Sequence, residues 1–143
     1  MGDAKAYLQQ IKLHDARIDR NIEELDNLRS MTTKITATWK DDVVSGTGNQ
    51  DKLGAAVAKI VDLQTEIDRD IDAYIDMKRS VWDLLNRIEN PDQLQILYKR
   101  YFKYEHWEQI ACEMNMTYRN VCYIHGRALQ AVSELLKGEN NES

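Results

Sequence analysis

Four side chains in the last third of the chain have the chemistry to hold a metal ion: His106, Cys112, Cys122 and His125. Zinc sites use closer ligand pairs than the nine residues between Cys112 and Cys122. On rigid helices such side chains need not converge, and no metal or other cofactor is expected. The carboxylates, 24 Asp and Glu in 143 residues, fall mainly on the polar faces of long helical patterns, where charge serves solvation. There is no phosphate-binding Gly-rich loop, no dinucleotide turn and no nucleophile elbow, so the chain reads as a non-enzyme. What remains is hydrogen-bonding and cationic chemistry gathered in one stretch: Thr117, Tyr118, Arg119, Asn120, Cys122, Tyr123 and Arg127, with Lys103 upstream.

That stretch suits double-stranded DNA. Thr117 can cap a helix whose first turns carry Arg119, Cys122 and Tyr123 on one side, at i, i+3 and i+4, with Tyr118 beside them. Arg119 is the group there able to make a bidentate contact to guanine, worth about 1–3 kcal/mol of discrimination. Tyr118 and Tyr123 suit thymine methyls or phosphates. Arg127, two turns on, suits a phosphate at the groove edge. Lys99, Arg100 and Lys103 are expected beside the DNA backbone, with an internal ion pair as the alternative for Arg100. The net charge of -5 opposes a polyanion, but it is unevenly spread. Residues 1–90 carry 13 basic against 17 acidic side chains, whereas residues 91–137 carry 6 against 5, and residues 117–133 hold two arginines and no acid.

The elements that must position these residues are helical. One proline and six glycines in the whole chain leave room for little else, and an all-α fold is expected. Three short helices are read at about 91–102, 106–114 and 117–136. Asn90 caps the first and Pro91 takes its opening position. Trp107, Ile110, Ala111, Met114, Met116, Val121 and Ile124 supply apolar faces, and Asn115 tolerates the left-handed conformation of a tight turn. This is the logic of a helix-turn-helix, whose second helix enters the major groove.

Upstream, two long helices are read at about 3–39 and 51–89, joined by a turn within 40–51 that contains Ser45-Gly46-Thr47-Gly48-Asn49. The second alternates apolar steps of four and three from Leu53 through Val57, Ile60, Ile67, Ile71 and Val81 to Ile88, a coiled-coil pattern. Its polar exceptions, Gln64 and Lys78, match Arg29 and Asp15 of the first helix in a single antiparallel register. That register also faces Leu8 with Leu85 and Ile22 with Ile71. An antiparallel hairpin over residues 1–90 is therefore expected, then a helix-turn-helix domain over 91–137 and an acidic flexible tail over 138–143. Leu63, Ile75, Met77 and Leu84 lie off the seam, and this surplus apolar surface predicts a homodimer.

Leu97 through Leu136 resembles region 4 of the sigma-70 family, through Arg100-Tyr101-Phe102, Trp107-Glu108-Gln109-Ile110-Ala111, Val121 and Ala128-Leu129. With the two-helix part containing Asp62-Leu63-Gln64-Thr65-Glu66-Ile67, the chain is similar to small phage-encoded regulators of the ArpU/RinA-like group. The resemblance implies a transcription regulator of phage or prophage late genes, with double-stranded DNA and RNA polymerase as partners. A module that binds RNA polymerase or another protein through the same domain, without reading DNA, is the competing expectation. His106 stands where relatives often carry a capping Ser or Thr. Neither a membrane span nor a signal peptide is read, and the cytoplasm is the expected location.

Overall fold

The computed structural model describes residues 2–41 and 46–142. They form α1 (Gly2–Asp41), α2 (Gly46–Leu85), α3 (Pro91–Leu97), a π turn (Tyr98–Phe102), α4 (Trp107–Glu113) and α5 (Tyr118–Glu142), with no strand among the described residues. The fold is all-α, and the two long helices pack together.

Residues 42–45 of the expected inter-helix turn lie outside the described residues. Gly46 to Asn49 do not belong to a turn: α2 begins at Gly46. At its other end α2 stops at Leu85, four residues before the expected limit. The amides of Arg87 and Ile88 donate to the carbonyls of Leu84 and Leu85 at 3.1 and 3.0 Å, a tightening that closes the last turn.

The chain divides into two compact units, Met1–His14 with Tyr74–Ser143, and Asp15–Ala73. Asn90, the expected boundary, falls inside the first. In that unit Ala4, Leu8 and Ile11 of α1 share one core with Val81, Leu84 and Leu85 of α2 and with Ala128, Leu129 and Val132 of α5. Leu84 is thus spent on the chain's own core, and Met77 packs against it. The apolar surplus that argued for a dimer shrinks accordingly, with Ile75 still 57% exposed.

In the second unit Ile18, Leu25, Ala56 and Ile67 are buried. Ile22, expected on the seam, is 41% exposed and Val57 is 45% exposed. Arg29 and Gln64 are exposed too, and the half-buried positions are Leu28 and Leu63. One row of the seam keeps its expected places, through Ile18, Leu25 and Ile67, while the other shifts by one residue, to Asn21 and Leu28 on α1 and to Leu63 and Asp70 on α2. A polar pair between the helices joins Asn21 and Asp70: the Asn21 amide Nδ2 donates to the Asp70 carboxylate at 3.0 Å. Arg17 adds contacts to Glu66 and Asp70 at 3.5 and 3.4 Å. The other expected pair, Asp15 and Lys78, joins residues of different units. Within the first unit the Lys78 ammonium lies over the rings of Tyr74 and Phe102, at 5.3 and 5.8 Å.

The stretch expected as a flexible tail continues α5 to Glu142. Leu135 and Leu136 pack on the first unit's core, and Glu139 pairs with Arg87 at 3.0 Å. These contacts extend the helix past Gly138. Gly126 lies in the interior of α5, and a Cβ there would meet nothing within 4 Å. Gly126→Ala should therefore stabilise the protein by about 0.5–1 kcal/mol. A urea midpoint equal to or below that of the wild type would contradict this.

Candidate nucleic-acid interface

Asn90 opens this region as the sequence requires. Its Oδ1 accepts from the amides of Asp92 and Gln93 at 3.0 and 3.1 Å, with Pro91 in the first turn of α3. α3 was expected to run to residue 102. Instead the backbone widens into a π turn, closed by the Lys103 amide on the Tyr98 carbonyl at 3.2 Å. This puts Tyr98 against Phe102, rings stacked 5.7 Å apart, and buries Tyr101. Tyr104 then adopts φ 57° and reverses the chain towards α4.

α4 and α5 form a helix-turn-helix around a small core of its own. Ile96, Ile110, Ala111 and Val121 are buried, with Trp107, Met114, Met116 and Ile124 packed on them. Asn115 sits in the turn at φ 54°, the left-handed region its side chain tolerates. The Met116 amide donates to the Ala111 carbonyl at 2.9 Å and so ends α4. Thr117 Oγ1 accepts from the Asn120 amide at 3.0 Å and starts α5. His106 stands before α4 in extended conformation and makes no side-chain cap.

The expected reading face is outward. Tyr118 is 51% and Tyr123 63% exposed; Thr117, Arg119, Asn120 and Arg127 are exposed and Cys122 is half-buried. No salt bridge among the described residues engages Arg119 or Arg127. A hydrogen bond between Tyr118 and Cys122 raises the tyrosine hydroxyl above its ordinary range. Arg127 Nη1 donates to the Tyr123 hydroxyl at 3.3 Å, with its guanidinium 5.8 Å from that ring. Arg127 therefore steadies Tyr123 as well as facing solvent. Lys103 is placed differently: it lies beyond the π turn and its ammonium is 3.2 Å from Glu105. Lys99 is likewise held by Glu113 at 2.6 Å. That hydrogen bond raises the lysine and lowers the carboxyl from their ordinary values.

Behind the face, Arg100 makes no salt bridge among the described residues, so the ion pair expected as its alternative role is not formed. Its Nη1 donates to the Glu105 carbonyl at 2.9 Å and its guanidinium stacks 4.4 Å from Trp107. His125 is likewise engaged inside the fold. It shares a 2.8 Å hydrogen bond with the Tyr101 hydroxyl and packs edge-on against Trp107. Among the described residues no group of three or more His, Cys, Asp or Glu side chains could hold a metal. No helix of the described residues is long and apolar enough to cross a membrane.

Burial, aided by Lys5 and Arg100, lowers His125 to about 4, against 6.5 ordinarily. The unfolded chain thus binds a proton that the folded chain refuses. The resulting stability is complete above about pH 6.5 and is lost as pH falls toward 4. After discounting for the solvent that reaches the ring, the loss should be about 1–2 kcal/mol. His125→Gln should show a smaller stability difference than the wild type between pH 7 and the acid end of this window. Equal differences in urea titrations would remove this assignment.

Sequence reasoning missed one surface feature. Trp82 of α2 meets Tyr98 and Phe102 edge-on, at 5.7 and 5.6 Å. With Tyr74, Ile75, Lys78 and Arg79 they line an open groove of about 530 Å³. The available signal was Ile75 and Trp82, two turns apart on one side of α2 and off the seam.

No curated protein and no solved structure matches the chain. Residues 31–135, well over half of it, match the family model described as Protein of unknown function (DUF1492), and the chain belongs to that family.

Proposed function

We propose that the protein is a sequence-specific double-stranded DNA-binding transcription regulator, reading DNA with the first turns of α5. One observation carries this reading. A helix-turn-helix core holds Tyr118, Arg119, Cys122, Tyr123 and Arg127 outward, and no salt bridge among the described residues neutralises either arginine. On this reading Thr117 and Asn120 fix the start of the recognition helix, and Lys103 contacts phosphate by exchanging its Glu105 partner. The region-4 and ArpU/RinA-like resemblance extends the proposal to phage or prophage late genes, to RNA polymerase as a second partner, and to the cytoplasm as the place of action. A homodimer would set two recognition helices on half-sites about one turn of DNA apart.

Retention of duplex DNA should fall steeply with salt, because phosphate neutralisation releases counterions. Light scattering on the same complexes gives the number of chains per duplex, and a single chain would overturn the dimer. The second reading, a module that binds RNA polymerase or another protein, is favoured by the aromatic groove of Trp82, Tyr98 and Phe102. No salt-sensitive retention of any duplex, with a partner captured through that groove, would put this reading first.

A further inference from the structure

A second recess in the first unit has a different chemistry. It is a cavity of about 90 Å³ lined by Gln9, Lys12, Arg100, Tyr101 and Tyr104. Two of its five lining residues are cations and none is a carboxylate. Neither Lys12 nor Arg100 takes part in a salt bridge among the described residues. Arg100 is already fixed, by the Glu105 carbonyl on one nitrogen and by the Trp107 ring beneath its plane. Its remaining N–H groups are therefore presented without further loss of side-chain freedom. Lys12 arrives from α1 and lies 5.9 Å from the centre of the Tyr104 ring. Gln9 adds an amide donor one turn before it. Lys5 adds one further positive charge nearby, since it opposes protonation of His125, which bonds the lining Tyr101. In a chain of net charge -5, such a recess is a local reversal of sign.

We infer that this cavity, between Lys12 and Arg100, is a binding site for a small tetrahedral oxyanion of the phosphate class. Its volume equals that of about three water molecules at ~30 Å³ each. A phosphate group fits this space. The ligand is a free oxyanion or a phosphate group projecting from a larger molecule. Charge-assisted hydrogen bonds from a guanidinium and an ammonium are the ordinary means of holding either. The site is independent of the DNA face: none of its lining residues belongs to the proposed reading surface.

The test titrates inorganic phosphate into the full chain, at ionic strength matched with chloride. The Arg100 Nε–H and the amides of Gln9, Tyr101 and Tyr104 are followed by NMR. Saturable shifts at these groups are expected with phosphate. Lys12→Gln, a change at an exposed position, should weaken binding by about tenfold, the loss of one charge-assisted hydrogen bond. Lys59→Gln, on α2 and outside the cavity, should leave it unchanged. Shifts that do not saturate, or equal phosphate affinity in Lys12→Gln and wild type, would overturn the inference. A duplex DNA arm separates the two sources. If Lys12→Gln weakens duplex binding and phosphate competes with the duplex, the site takes a backbone phosphate. If duplex binding is indifferent to both, the ligand is the free anion. A chain that binds phosphate but no duplex sinks the DNA reading and keeps the cavity.

Discussion

Ile110→Ala should lower the stability of the helix-turn-helix by about 3 kcal/mol and abolish any function that depends on the placement of α5. Ile110 is fully buried, at the centre of a cluster with only three other buried members, Ile96, Ala111 and Val121. Truncating a buried Ile to Ala costs about 2–5 kcal/mol, from lost transfer energy and from the cavity left behind. A core this small has few neighbours able to relax into the gap. The larger cluster of Leu8, Ile11, Leu85 and Leu97 does not contain Ile110. Hydrogen exchange should therefore show α4 and the start of α5 opening first, while the amides of α1 and the end of α2 keep their protection. A variant that loses less than about 1 kcal/mol in urea would mean that α5 is held mainly through Ala128, Leu129 and Val132 instead.

The distribution of these two clusters explains what could be read in advance. Local rules were enough where local chemistry decides. Asn90 with Pro91, Asn115 in the turn and Thr117 before α5 each act on their own neighbours within three residues. The apolar faces of α4 and α5 were legible for the same reason, because 3.6-residue spacing fixes one side of a short helix. The polar pairs of the long hairpin were not. A 3.5-residue reading holds for the row of Ile11, Ile18, Leu25, Ile67 and Val81, but the other row moves by one residue and exposes Ile22, Arg29 and Gln64. Asn21 and Asp70, one position from the expected seam, meet instead.

The π turn was invisible for a different reason. Its gain comes from tertiary contacts, the stacking of Tyr98 on Phe102 and the burial of Tyr101, and nothing in Tyr98-Lys99-Arg100 marks it. The same turn delivers Arg100 to Trp107 and Tyr101 to His125. Arg100, expected beside the DNA backbone, thus also has partners inside the fold. Of the expected face, the part on a single helix keeps its geometry, and the part that depended on another element, Lys99 and Lys103, is tied to Glu113 and Glu105.

Arg119→Ala should weaken binding to a selected duplex by about 1–3 kcal/mol, roughly ten- to a hundredfold, while changing affinity for random DNA much less. Arg119 is exposed on the first turn of α5, beside the Thr117 cap that fixes where the helix begins. It is the one cation there, and its fork can engage two acceptors of a guanine at once. Arg127 makes the contrasting case. It lies two turns further along and already holds the Tyr123 hydroxyl at 3.3 Å, so a phosphate is its expected contact. Arg127→Ala should weaken selected and random duplexes alike and reduce the salt slope by about one. The duplex comes from selection out of a random pool with the full chain. Both variants are then titrated on selected and scrambled DNA at several salt concentrations. Neither replacement disturbs a buried group, so far-UV circular dichroism should match the wild type. If both variants are folded and bind as the wild type does, the outward face of α5 is not a DNA-reading surface. The groove at Trp82, Tyr98 and Phe102 then becomes the face to pursue.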